Sequence, residues 1–195
     1  MRNRIKFLIT IALLCVLAVM LYYHFSNRTS GDDKDNLNTD DTVISEVDKI
    51  ISKDLEENYP LTAREVLTLF TRIQKCYYNE EIPSEKLVAL VYKTTEIFDD
   101  ELNANNPFDE YYSELQDEIR VYKENERTIS RIIIDKSSDI VYSTIDGVKY
   151  ASINCIYYVK TNTGTTKTVE TYLLRKNEED RWKILGWKLY EEPEE

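Results

Sequence analysis

Residues 127–161 read RTISRIIIDKSSDIVYSTIDGVKYASINCIYYVKT, and the fold turns on how this stretch is read. β-Branched and aromatic side chains recur here with turn residues between the runs, the pattern of half-buried strands rather than helices. Residues 128–134 form a first strand, and Ser137-Ser138-Asp139 a turn. Residues 140–145 and 148–161 flank Asp146-Gly147, a two-residue sequence that tolerates the positive φ of a tight hairpin. Beyond it, Asn162-Thr163-Gly164 turns the chain into a strand over 166–176. Asn177-Glu178-Glu179-Asp180 then turns it into a last strand over 182–190. Alternation puts Trp182 and Ile184 on one face of that strand, with Lys183 and Leu185 on the other. Gly186 interrupts it, as at a bulge or a close backbone approach.

Upstream, the apolar period is that of helices. Val43, Ile44, Val47, Ile50, Ile51 and Leu55 share one face of a first helix, which Tyr59-Pro60 brings to an end. Thr62-Ala63-Arg64-Glu65 has the spacing of a capping box and opens a second, with a stripe of Val66, Leu69, Phe70, Ile73 and Tyr77. A third starts near Pro83-Ser84 and carries Leu87, Val88, Val91, Thr95, Phe98 and Leu102. Asn106-Pro107 reads as an N-cap followed by proline at the first helical position. The stripe of this fourth helix is Phe108, Tyr112, Leu115, Ile119 and Tyr122. Helices followed by an antiparallel meander predict an α+β fold, with the amphipathic helices packed on one face of the sheet.

The N-terminus has a different character. Arg2, Arg4 and Lys6 precede residues 7–23, FLITIALLCVLAVMLYY, which carry no charge. At about 1.5 Å per residue this run nearly matches a hydrocarbon core of about 30 Å, and Tyr22-Tyr23 suit the headgroup interface. The residues that follow are too bulky for a small-x-small cleavage site, and Leu14 before Cys15 is wrong for lipoprotein processing. The reading is an uncleaved single-pass signal anchor over residues 1–25, its basic end in the cytoplasm and the rest of the chain outside. Residues 26–42 are polar and aperiodic, as in a flexible stalk, and residues 43–195 form the extracytoplasmic domain.

The net charge of −11 conceals an asymmetry. Residues 1–30 hold four bases and no acid, so the remainder carries −15. Such a surface excludes nucleic acid bound through its phosphates, which needs clustered Lys and Arg. Cys15 falls in the apolar run, leaving Cys76 and Cys155, both amid apolar neighbours and read as buried free thiols rather than a disulfide framework. His24, at the membrane boundary, is the only histidine, so the domain lacks the usual general base for a serine or cysteine nucleophile. Asp32-Asp33-Lys34-Asp35 and Asp99-Asp100-Glu101 lack the pattern of a Ca²⁺ loop, and no metal ligands, cofactor or phosphate-binding loop are expected.

The closing hairpin, Thr171-Tyr172-Leu173-Leu174-Arg175-Lys176, a polar turn ending at Asp180-Arg181, then Trp182-Lys183-Ile184-Leu185-Gly186-Trp187, resembles the ending of the nuclear-transport-factor-2-like superfamily. The resemblance extends to the layout over residues 43–190. It implies a cone-like fold, a curved antiparallel sheet wrapped around helices. The whole chain also resembles small membrane-anchored bacterial proteins of unknown function. The superfamily includes isomerases, dehydratases, pocket binders and assembly modules of cell-envelope machines, so the fold does not choose among them. Its enzymes often place an Asp, His or Tyr inside the cone. In this chain Tyr150, Tyr157, Tyr158 and Tyr172 are the candidates to pair with a buried carboxyl, and Trp182 is the further contact residue. The functional expectation is a binding or assembly module without catalytic residues, with the membrane through residues 7–25 and a protein of a cell-envelope machine as partners. The alternative is a pocket enzyme of the isomerase or dehydratase type.

Overall fold

The structure, a computed structural model, describes residues 44–190. The anchor and the stalk expected over residues 1–42 lie outside them. Among the described residues no helix is long and apolar enough to cross a membrane. Helices come first and strands second, and the helices cover one face of a curved antiparallel sheet, as an α+β fold requires.

Helix α1 (Glu46–Ile51) is capped by the Ser45 hydroxyl, which accepts from the Asp48 amide, and it buries Val47 and Ile50. It is shorter than the apolar spacing predicts. The Asp54 carboxylate accepts from the amides of Glu56 and Glu57, and this local bonding competes with helix. Leu55 still reaches the core from the turn that results. Helix α2 (Ala63–Asn79) starts with the predicted capping box, Thr62 and Glu65 each satisfying the other's backbone. It runs through the centre of the domain, packed on the sheet and against the other long helices. Leu67 and Thr71 are therefore buried along with its predicted stripe.

The third helix differs from its expected course. Helix α3 (Ser84–Thr95) ends before Phe98, although Phe98 and Leu102 continue its stripe. Thr94 and Thr95 turn their hydroxyls back onto the carbonyls of Leu90 and Tyr92, and the chain extends. Residues 97–99 then lie parallel to the last strand. Ile184 donates its amide to the Ile97 carbonyl, and its own carbonyl accepts from the Asp99 amide. Asp99 next caps a short helix, α4 (Asp100–Asn105). Asn106 is no N-cap. Its side-chain amide donates to the Leu102 carbonyl of α4, and α5 (Phe108–Glu124) begins after Pro107 without a side-chain cap. Helix α5 buries Leu115 and rests Phe108, Tyr111, Tyr112, Ile119 and Tyr122 against the core.

The strands are β1 (Thr128–Ile134), β2 (Val141–Ile145), β3 (Val148–Thr161), β4 (Gly164–Lys176) and β5 (Trp182–Leu189). Their order is β1-β3-β4-β5, and β2 pairs with the part of β3 that β1 leaves open. Asp146 and Gly147 both have positive φ, as the predicted hairpin turn demands. Ala151, Ile153, Cys155 and Tyr157 of β3 face the helices, as do Tyr172 and Leu174 of β4. Trp182 and Ile184 begin β5 on that same face.

Alternation breaks once in β5, at the predicted bulge. Leu174 pairs with Ile184 and Leu173 with Gly186, so Leu185 is an extra residue. The phase of the strand reverses there. Trp187, which strict alternation would send to the outer face, instead pairs with Tyr172 and stacks on its ring at 5.7 Å.

Candidate functional site

The reversal at Leu185 builds the floor of a cavity. Phe70 of α2, Phe98, Tyr172 and Trp187 form one aromatic cluster with ring centroids 5.6–6.0 Å apart, near the optimum for ring contacts. Above it lies an opening of about 200 Å³ between α2, α5 and the sheet. Tyr77, Tyr78, Tyr111 and Leu115 wall it, and Gln74, Glu114 and Glu118 supply polar groups.

Beneath that opening runs a chain of short hydrogen bonds. The Tyr157 hydroxyl donates to the Gln74 side-chain carbonyl oxygen at 2.6 Å and lies 2.8 Å from the Tyr172 hydroxyl, and Tyr172 donates to a Glu170 carboxylate oxygen at 2.6 Å. Parity explains the last member. Glu170 is two residues before Tyr172 and pairs with Cys155, so it faces the helices. Burial raises its pKa, the Tyr172 hydrogen bond works against that rise, and the charge of Glu118 adds to it. Burial likewise pushes both phenols above the ordinary tyrosine value, so they act as neutral donors.

A proton count constrains this chain. Three contacts need three protons, and the two phenols supply two. The third comes either from a protonated Glu170 or from Gln74 turned so that its amide nitrogen donates to Tyr157, the two ends of that amide being interchangeable in shape. With Glu170 ionised, only the second arrangement saturates every contact, every donor then pointing toward the carboxylate.

Of the residues singled out from the sequence, the structure joins Tyr157 and Tyr172. It does not join the other candidates to them. Tyr150 neighbours the inward-facing Ala151 and therefore sits on the outer face of the sheet, opposite Arg175. Tyr158 is on that outer face too, its ring beneath the Arg131 guanidinium. Trp182 is core at the far end of β5, packed beside Tyr142 and Lys176 with its carbonyl accepting from Tyr59. The sequence reading passed over Gln74, Glu118, Glu170 and Trp187. Glu170 was available from parity with Tyr172 and Leu174, and Gln74 from its place one turn after Phe70. Trp187 was hidden by the bulge.

A wider groove of about 660 Å³ lies at the other end, beside Tyr59, Lys93, Asn103 and Lys183. Its cations are already engaged. Lys93 pairs with Glu96, Lys183 donates to the Glu96 carbonyl, and Arg181 bonds Glu179 and the Glu56 carbonyl. Cys76 and Cys155 are buried free thiols, each pushed up to about 12 by burial, which leaves them inert as nucleophiles. Among the described residues, no three or more His, Cys, Asp or Glu side chains come together to hold a metal ion.

No curated protein matches the chain. The model of one family, described as domain of unknown function (DUF6715), matches residues 1–187, from the N-terminus to the tryptophan on the cavity floor. That match takes in nearly the whole sequence, and the chain belongs to the DUF6715 family.

Proposed function

We propose that this protein is a recognition module, a cone of the nuclear-transport-factor-2-like type held outside the cell membrane by residues 7–25, which takes a small ligand into the cavity between its sheet and helices. The aromatic cavity carries the reading. A concave site lined by rings with a few convergent polar groups is the usual form of a ligand pocket, and at about 200 Å³ this one suits a small molecule. The order of helices and strands and the curved sheet agree with the cone-like type. The charge-free run after three bases motivates the anchor, and the acidic balance of the rest suits a soluble, exposed domain. A protein of a cell-envelope machine is the partner for which such a module would report occupancy.

The test is native purification of the full chain from solubilised membranes, with mass spectrometry of what accompanies it. A small molecule retained by the natural protein and lost on Trp187→Ala supports recognition. An empty cavity together with a mature N-terminus near residue 26 would count against both the ligand and the anchor. One observation favours the alternative of a pocket enzyme: Glu170, its pKa raised by burial, accepts a 2.6 Å bond from Tyr172, an acid–base pair of the kind isomerases use. Under that reading Glu170→Gln keeps ligand affinity and abolishes turnover of the retained molecule.

A further inference from the structure

Resting on the pocket reading, we infer that the ligand is a small organic ammonium ion, seated on the aromatic floor with its charge toward Glu118 and Glu170. Two features converge on this chemistry. The first is the ring content: Phe70, Tyr77, Tyr78, Tyr111 and Trp187 line the cavity, and ring faces attract cations through their negative quadrupole. The second is charge. Glu114 and Glu118 of α5 line the opening, and Glu170 of β4 lies within the field of Glu118. Among the described residues none of these carboxylates forms an ion pair, although most neighbouring charges do. Arg120 holds Asp117 and Glu124, Lys123 holds Glu81, and Arg127 lies over the Tyr122 ring at 5.8 Å. The charges of Glu118 and Glu170 repel, and a bound cation would relieve that cost.

The carboxylates are acceptors, matched by the N–H groups of an ammonium ion. A carboxylate or phosphate ligand would meet repulsion there. A neutral alcohol would gain the rings but not the charges.

The experiment is titration of the full chain, purified in detergent, with a homologous series of alkylammonium ions and the corresponding primary alcohols. Occupancy is followed by tryptophan fluorescence, because Trp187 forms the floor. The ammonium ions are expected to bind at least about tenfold more tightly than the alcohols, which corresponds to about 1.4 kcal/mol. Glu118→Gln, an exposed position that does not threaten folding, is expected to weaken the ammonium series by about tenfold and leave the alcohols unchanged. Alcohols binding as well as the ammonium ions, or a Glu118→Gln variant with undiminished ammonium affinity, overturn the assignment of charge and leave the pocket standing. Binding of neither series overturns the pocket as well.

Discussion

Replacing Tyr172 with Phe removes one oxygen from a fully buried site and breaks the chain between Tyr157 and Glu170. The ring remains, with its contacts to Phe70 and Trp187, so packing changes little. The loss is two hydrogen bonds. A bond to a charged group contributes about 1.5–3 kcal/mol and a neutral one about 0.5–1.5, so the expected cost near neutral pH is about 2–4.5 kcal/mol. The cost should also depend on pH. Glu170 has a folded pKa raised by burial above the ordinary 4.5, so the folded state binds the extra proton and stability falls as pH rises through the folded value. The Tyr172 hydroxyl holds that rise in check. Without it the folded pKa climbs further, and the variant loses more stability than the natural protein on the neutral side, while below about 4.5 the difference shrinks to that of neutral bonds. Urea unfolding at mildly acidic and at neutral pH measures both quantities from midpoints at unchanged slope. A cost below about 1 kcal/mol at neutral pH, or one of equal size at both, would refute the account of the chain as a buried donor series ending on an ionised carboxylate.

Trp182→Ala should cost about 3–5 kcal/mol in the same assay, as expected for a core tryptophan, and a loss below about 1 kcal/mol would mean that the side chain is not packed under Tyr142. Deleting Leu185 removes the extra residue, so strict alternation then holds with Gly186 opposite Leu173 and Trp187 still opposite Tyr172 on the inner face. The expected sign is an unshifted tryptophan emission with the fold retained, and a red shift would show that Leu185 is not the extra residue. Cys76 and Cys155 should resist a thiol reagent at mildly alkaline pH until the protein is unfolded, since burial pushes both up to about 12. Stoichiometric labelling of the native protein would contradict that burial.

Strong local chemistry made much of this fold readable. The Thr62–Glu65 box, the Asp146-Gly147 turn and the inward pair Trp182 and Ile184 of β5 each rest on neighbours within a few residues, where spacing is informative. The failures share a different cause. Helix α3 stops at Thr95 because residues 97–99 find backbone partners on Ile184, far along the chain, and no apolar period encodes that competitor. Asn106 likewise serves the helix behind it, since α4 supplies a nearby carbonyl that only the break at Asp99 creates. At the site, tyrosine identity alone could not separate Tyr157 and Tyr172 from Tyr150 and Tyr158. Parity with known core residues does separate them, and it also picks out Glu170. Trp187 required the phase reversal at Leu185, which Gly186 hinted at without fixing which residue would be the extra one.

The tie between the first helices and the last strand bears on how the chain is made. The Tyr59 hydroxyl bonds the Trp182 carbonyl across 123 positions, and residues 97–99 find their partner only in Ile184. At about 5–20 residues per second, a ribosome needs roughly 6–25 seconds to travel from one member of that first pair to the other. For most of that interval Val66, Phe70 and Ile73 have been synthesised, while the strand that completes their cover has not. A nascent chain in this state exposes a greasy helical face with no local means of hiding it, a natural substrate for a holding chaperone. The final hairpin is then the latch of biogenesis: a truncation that removes only β5 should leave the helices intact in sequence yet condemn the whole product to degradation.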